Sequence, residues 1–576
     1  MTERRWLSNY PDGLNADIDL TADSGSLVDL LRASFSKFGD RVAYNFFGID
    51  ITYRTVDLVS SHFASYLQSI GLERGDPVAV MLPNVPQYPI AVAAILKAGM
   101  IAVNVNPLYT PRELEHQLKD SGAKAIVILD KFAATLDQCV ARTKIDHVVL
   151  CSIGDMLPFP KSAITNFVTR KIKKMIPAFE LAGSVKFSQA LRLGSRLVLK
   201  NPEIKPDDVA VLQYTGGTTG VSKGAILSHR NLVANVLQNE AWFGLALDTI
   251  PAGEQPVTAC PLPLYHILAF ITSMVMLRVG GKNVLILNPR DTSATLKTLR
   301  AHKVHMFPGL NTLFNGLMAH PDFDKVDWSH LKVTTAGGMP TNPETARRWK
   351  LRTGSTICEG YGLSEAAGTV TCNPPTGDIR APGVGLPVPS TFVSLLDPTG
   401  KEVGPGMVGE VAIKGPQVMR GYWKREEETS QVLDSRGYYL TGDLGSMDQD
   451  GYLKIVDRKK DMILVSGFNV YPSEIESVVA ELEGVLECAA VGTPDTDTGE
   501  AVRLVVVRRN NALNETDVKA HCRRHLTGYK QPRIIEFVES LPKSSVGKIL
   551  RKDMRALRAD QKLNTNLHPG HLTRVK

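Results

Sequence analysis

A chain of 576 residues, 43% of them hydrophobic, is too long for one ordinary core, so several domains or subdomains are expected. The net charge of +7 is modest, and Lys and Arg are interleaved with Asp and Glu. That favours anionic small molecules as partners and argues against a dedicated nucleic-acid surface. The 7 cysteines are scattered, without CxxC or Cys/His zinc spacing. They point to a reducing, cytoplasmic compartment and away from a disulfide framework or structural metal.

Residues 1–22 alternate polar and charged types with no apolar h-region, so no signal peptide is expected. From 42 to 151, short β-rich runs at 77–82, 101–105, 125–129 and 147–151 alternate with helical patterns such as 111–121. This alternation predicts an α/β fold with parallel strands. In residues 161–176, Ile164, Phe167, Val168, Ile172, Met175 and Ile176 fall on one helical side, with Arg170, Lys173 and Lys174 largely elsewhere. Two readings stand: a basic amphipathic helix in peripheral contact with an anionic membrane, at the inner face of the cytoplasmic membrane, or a helix packed on the core.

Residues 209–214 read as a strand, followed by a glycine-rich loop and a helix pattern at 231–239. The uncharged stretch 258–277 is broken by Pro261, Pro263 and His266, which leaves 264–277, the length of a buried helix and not of a span. After Pro374 short strands at 410–414 and 452–456, the latter behind an Asp450-Gly451 turn, predict a smaller β-rich subdomain. Beyond Arg458, Ser473 and Glu476 have capping-box spacing, and Ile475, Val478, Val479 and Leu482 share a helix face. Strands at 485–491, 504–507 and 534–538 and a helix at 516–526 complete a separate α+β domain.

The loop 215–223 gathers Thr215, Gly216, Gly217, Thr218, Thr219, Gly220 and Lys223, which the pattern sets between a strand and a helix. Glycines let backbone N–H groups turn toward an anion, and hydroxyls and an ammonium add donors, as a polyphosphate requires. Composition alone fits a solvated turn equally well. The GxxxxGK[ST] pattern of a P-loop NTPase, which would release ADP, is matched nowhere.

Four further motifs follow in order: Tyr361-Gly-Leu-Ser-Glu365, Tyr439-Leu-Thr-Gly-Asp443, Asp457-Arg-Lys-Lys-Asp461 with Ser466-Gly-Phe-Asn-Val-Tyr-Pro472, and Pro542-Lys-Ser-Ser-Val-Gly-Lys548. With the loop, they make the chain resemble the adenylate-forming (acyl/aryl-CoA ligase) superfamily. Residues 106–121, 382–390 and 457–472 are most similar to bacterial long-chain fatty-acid CoA ligases.

The resemblance implies a large N-terminal domain of parallel α/β sheets plus the β-rich subdomain (1–457), a hinge at 458–460 pivoting at Lys460, a small mobile α+β domain (461–560) and a basic tail (561–576). It implies ATP, Mg2+ and coenzyme A as cofactor and co-substrates, and a fatty acid as the acid. Glu365 would hold Mg2+, with Ser364 standing where threonine is commoner. Tyr361, Gly362, Gly337 and Gly338 would receive adenine, Asp443 the ribose hydroxyls, and Arg458 would help hold the nucleotide sugar and phosphate. Lys548 would bridge carboxylate and phosphate during adenylation, His266 would lie near the reacting carboxylate, and Gly467 would line the pantetheine tunnel. A homodimer is left open.

Overall fold

Thr110 shows how closely local chemistry sets the elements. Its side chain accepts from the amide of Glu113 while Glu113 reaches back to Thr110, Pro111 opens the helix Pro111–Ser121, and Gly122, at φ 73°, closes it. The computed structural model describes residues 4–21, 25–215, 222–377, 379–381, 383–510, 512–543 and 549–556. Two compact units divide the chain: Met1–Val393 with Ile413–Tyr439 and Asp450–Leu453, and Ser394–Ala412 with Leu440–Gln449 and Lys454–Lys576.

In the first unit the runs Pro77–Met81, Ile101–Asn104 and Ala125–Leu129 are buried along their whole length, as central parallel strands must be. They lie in a seven-stranded sheet ordered Val185–Lys186, His147–Cys151, Ala125–Leu129, Pro77–Met81, Ile101–Asn104, Val209–Thr215, Lys223–Ser228. All its pairings are parallel except the last. From Pro77–Met81 the chain adds Ile101–Asn104 on one side, crosses to add the next three strands outward on the other, then returns from 186 to 209 to add Val209–Thr215 beside Ile101–Asn104, so the order reverses at Pro77–Met81. Ligands of open α/β sheets bind off the carboxyl ends of strands near such a reversal. Buried amides there are fully committed: Asn104 donates to Gln213 over 3.0 Å, and Gln213 donates to the carbonyl of Tyr265 over 3.1 Å.

A nine-stranded sheet forms the other half of this unit. Its parallel centre runs Ile357–Leu363, Val333–Gly337, Met306–Gly309, Val257–Cys260, Lys282–Leu285, Val42–Phe46, with antiparallel strands at both ends. The apolar stretch predicted at 264–277 is the helix Ile267–Arg278, buried on nearly all sides. Among the described residues no helix is long and apolar enough to cross a membrane.

The second unit holds most of a four-stranded sheet, ordered Phe392–Leu396, Val408–Lys414, Tyr439–Met447, Leu453–Arg458, and all of a five-stranded one. In the latter, Val485–Asp495 and Gly499–Arg508 form a long antiparallel hairpin, longer than the sequence pattern indicates, and Ile534–Val538 joins parallel. Helices Pro472–Ala480 and Glu515–His525 cover it through Ile475, Val479, Val518 and Cys522.

Three local expectations are corrected. Ser473 and Glu476 do not form a capping box, because Pro472 is already the first helical residue and Tyr471 the cap. Ser473 instead bonds Val456 and Asp457, and Glu476 takes Arg551 and the amide of Ala490. The loop after Thr215 does not run into a helix. Ala225, Ile226 and Leu227 carry a second strand, Lys223–Ser228, antiparallel to the first, and the helix His229–Leu247 starts only after the Ser228 cap. The helix at 161 is α only through Lys161–Phe167 and ends in a π turn, Val168–Ile172.

Candidate functional site

The predicted residues fall into one set on each unit. Of the loop, Thr215 and Lys223 are described and face each other as paired residues at the mouth of an antiparallel hairpin. Gly216, Gly217, Thr218, Thr219, Gly220 and Lys548 lie outside the described residues. With no helix N-terminus behind the loop, an anion there would rely on backbone amides, hydroxyls and Lys223 and not on a helix dipole. Gly224 sits tight against Tyr214, where a Cβ would lie 3.0 Å from the ring. The Tyr214 phenol in turn bonds Asp120 over 2.7 Å, and Arg425 pairs with the same carboxylate over 2.7 Å.

The segment Gly421-Tyr422-Trp423 runs beside the Lys223–Ser228 strand, with Trp423 donating to Gly224 and Ile226 to Gly421. This puts Tyr422 between two of the predicted residues. Its hydroxyl donates to Glu365 Oε1 over 2.9 Å and lies 3.3 Å from that of Tyr439. Lys223 Nζ sits 5.3 Å from the centre of its ring and 3.9 Å from Glu428. Burial, then the Glu365 charge, holds both phenols protonated far above the ordinary tyrosine range, so they remain donors.

Glu365 itself is carried on the turn Ser364–Ala366, which follows the strand Ile357–Leu363, and its carbonyl accepts from Met419 over 2.7 Å. Ser364 and Glu365 are half-buried. Upstream, Gly362 admits no side chain: its Cβ would fall 1.8 Å from the carbonyl oxygen of Gly368 on the returning strand.

Gly337, the last residue of its strand, pairs with Gly360 on the adjacent parallel strand, and Gly338 turns the chain at φ 81°. Tyr361 is therefore one residue beyond the partner of Gly337. Leu268 packs where a Gly337 side chain would be, and His266, two residues earlier, is the half-buried N-cap of the Ile267–Arg278 helix. Gly337, Gly338 and Tyr361 thus lie on two neighbouring strands of the nine-stranded sheet, and the helix that His266 caps packs against Gly337 through Leu268. Glu359 joins them: it accepts from the Thr341 amide over 3.1 Å, and burial pushes its carboxyl up to about 7.

In the second unit Arg458 Nε lies 3.1 Å from Asp443 Oδ1. Asp443 is buried in the strand Tyr439–Met447, where its amide donates to Thr441, and Thr441 anchors to Val411. Lys459 pairs with Glu410 over 2.8 Å. Beside them Lys460 is pushed down to about 8 by burial, against the pull of Asp461 and with the repulsion of Arg458 and Arg555. Gly467, at φ 84°, forms the tip of the hairpin between Ile463–Val465 and Phe468–Val470, where exposed Phe468 stacks on Tyr529 at 4.8 Å.

Tyr422 and Glu359 escaped sequence reasoning, and Tyr439 entered it only as the first residue of a motif, with no role of its own. A usable signal for Tyr422 was an aromatic pair behind a glycine within a charged stretch, and for Glu359 an acid two residues before Tyr361 in a strand. Among the described residues one cluster, Glu254, His305 and His330, has metal-like spacing. His305 Nδ1 accepts the Val257 amide over 3.1 Å, so its Nε2 carries the proton of the neutral ring and has no lone pair for a metal.

Residues 31–423 match the AMP-binding enzyme family, and residues 474–548 match the AMP-binding enzyme C-terminal domain. The chain belongs to the AMP-binding enzyme family. As such it is 49% identical over 552 residues to a Long-chain-fatty-acid--CoA ligase of Salmonella typhimurium (strain LT2), covering 96% of this chain and 97% of that protein. Another of the same name, from Bacillus subtilis (strain 168), is 36% identical over 96% of this chain and 97% of its own length. Among solved structures, ATP-bound MatB from Rhodopseudomonas palustris superposes with a TM-score of 0.78 at 29% identity, covering 92% of this chain and 98% of that one. This AMP-binding enzyme also shares its fold with the anthranilate CoA ligase AuaEII, at a TM-score of 0.79 and 24% identity over 94% and 98% of the two chains.

Proposed function

We propose that the chain is a long-chain fatty-acid CoA ligase that converts ATP, a fatty acid and CoA to acyl-CoA, AMP and diphosphate. The observation that carries the reading is the meeting of Lys223 and Glu365 around Tyr422 at the mouth of the glycine- and hydroxyl-rich loop. A cation and a carboxylate beside an anion-binding loop suit a nucleotide triphosphate. The near full-length relatives supply the acid and the thiol.

In the first step a carboxylate oxygen attacks the α-phosphorus, and the bond to diphosphate breaks. In the second the CoA sulfur attacks the acyl carbon, the acyl C–O bond breaks, AMP leaves and the thiol proton is lost. The first step joins two anions, so positioning and positive charge matter more than proton transfer. In this reading the 215–223 loop with Lys223 holds the terminal phosphates. Gly337, Gly338, Tyr361 and Gly362 receive adenine, Asp443 accepts from the ribose hydroxyls, and Arg458 orients Asp443.

Lys548 bridges carboxylate and phosphate as a point charge, and His266 borders the reacting acid. The small domain then turns about Lys460, and the hairpin tip at Gly467 lines the pantetheine path. Glu365, with Ser364 beside it, offers the hard carboxylate oxygen that suits Mg2+, and the Tyr422 bond orients it. When bound, the ion neutralises phosphate charge.

All 7 cysteines are free and buried, which supports a reducing, cytoplasmic setting, and a lipid-soluble acid supports work against the inner membrane face. The test is CoA-dependent AMP release over acids from butanoate to octadecanoate. Rising kcat/KM toward the long acids is expected. ADP as product, or a preference for butanoate, would overturn the proposal.

A further inference from the structure

The helix Lys161–Phe167 with its π turn Val168–Ile172 is built inside out. Its polar side faces the protein: Thr169 is buried and bonds the carbonyl of Thr165, while Asn166 accepts from the Gly154 amide over 2.8 Å and donates to Asp155. Its apolar side faces away. Ile164 is 58% exposed, Phe167 59% and Ile172 64%, with Phe159 just before the helix at 86%.

A second exposed aromatic adjoins them. Lys161 donates to the carbonyl of Phe47, at the tip of the hairpin between Val42–Phe46 and Ile49–Thr52, and that ring is exposed as well. Residues 158–179 contain Lys161, Arg170, Lys171, Lys173 and Lys174, and no Asp or Glu. Arg170 leans on Asp130, and the three lysines at 171, 173 and 174 are exposed.

A helix in water turns polar groups outward, and a helix on a core turns apolar groups inward. Doing the reverse of both leaves a contiguous apolar patch that calls for a third, apolar medium. We propose that this face, Phe47 with residues 158–175, docks the protein on an anionic phospholipid bilayer. Phe159, Ile164, Phe167 and Ile172 enter the headgroup–acyl boundary, and the lysines meet lipid phosphates. Within residues 158–179 every charge is positive, which favours an anionic lipid surface over a protein partner, whose interface would carry both signs. The proposal gives the membrane-facing part of the functional reading its surface, and it stands apart from the choice of acid.

The test is flotation of the full chain with phosphatidylglycerol vesicles and with pure phosphatidylcholine vesicles. Binding to the former, about tenfold or more above the latter and lost in high salt, is expected. The exposed-residue variants Phe159→Ser/Phe167→Ser/Ile172→Ser and Lys171→Glu/Lys173→Glu/Lys174→Glu should each lose about tenfold or more of that binding. Their melting temperature and their AMP release with water-soluble octanoate should stay unchanged. Equal flotation of either variant, or equal binding to both lipids, would overturn the proposal. So would a serine variant that dissociates a dimer without altering flotation, since the face would then belong to a second copy. Failure of the wild type to release AMP with any acid would sink the ligase reading and leave the flotation result intact.

Discussion

The Tyr422 hydroxyl donates to Glu365 Oε1 over 2.9 Å, joining residues 57 apart in sequence through the pairing of Gly421-Tyr422-Trp423 with the Lys223–Ser228 strand. A hydrogen bond to a carboxylate contributes roughly 1.5–3 kcal/mol. If Glu365 works in adenylation, Tyr422→Phe should lower single-turnover acyl-AMP formation about 10- to 100-fold and raise the Mg2+ concentration needed for half-maximal rate. Thioester formation from supplied acyl-AMP should change little. An unchanged Mg2+ dependence would mean that the bond serves packing only.

Gly362→Ala tests the strand that carries Glu365. With the new methyl 1.8 Å from the Gly368 carbonyl, the strand pair must part, and overpacking of this kind costs about 1–3 kcal/mol or more. A lower denaturation midpoint together with lost adenylation is expected. Gly338→Ala differs, since nothing lies within 4 Å of its Cβ and only its φ of 81° is strained. Its midpoint should fall by less, which a urea titration of both variants reads directly.

The fold class and the Glu365-bearing motif were legible because each is local: buried runs such as Ala125–Leu129 and a short motif reveal themselves in a few residues. Tyr422 was not, because its partner is chosen by a pairing between strands some two hundred residues apart. The strand Lys223–Ser228, missed between the loop and the helix foreseen at 231–239, has the same origin, since it is a strand only by virtue of its partner. The false capping box at Ser473 failed to weigh the proline before it, which starts the helix at Pro472 and moves the cap back to Tyr471. For residues 161–176 the sequence showed two faces but not which one turned inward, a matter of the Gly154 amide and its bond to Asn166.

Glu359 makes stability depend on pH. Its folded pKa, pushed up to about 7 by burial, exceeds the unfolded value, so the protein gains from holding this proton where the unfolded chain would release it. The contribution is fully present below the unfolded carboxylate pKa and is lost as pH rises through about 7. Glu359→Gln removes the charged form and keeps an acceptor for the Thr341 amide. The variant should gain on the order of 3 kcal/mol over wild type at about pH 8 and little at about pH 5. Denaturant melts across that range check it, and parallel pH curves for the two proteins would show that Glu359 is not the group responsible.

Lys548→Ala separates the two half-reactions. If Lys548 neutralises charge as carboxylate and phosphate approach, its loss should cost about 10²–10³ in acyl-adenylate formation, as removal of a preorganised transition-state donor does elsewhere. If the small domain then turns about Lys460, Lys548 has no part in thioester formation, and supplied acyl-AMP should be converted to acyl-CoA at close to the wild-type rate. Lys460→Pro, which stiffens the pivot, should do the converse and spare adenylation while slowing the thiol step. Equal loss in both half-reactions for both variants would contradict an alternating domain. Opposite losses would place one lysine on each side of the turn.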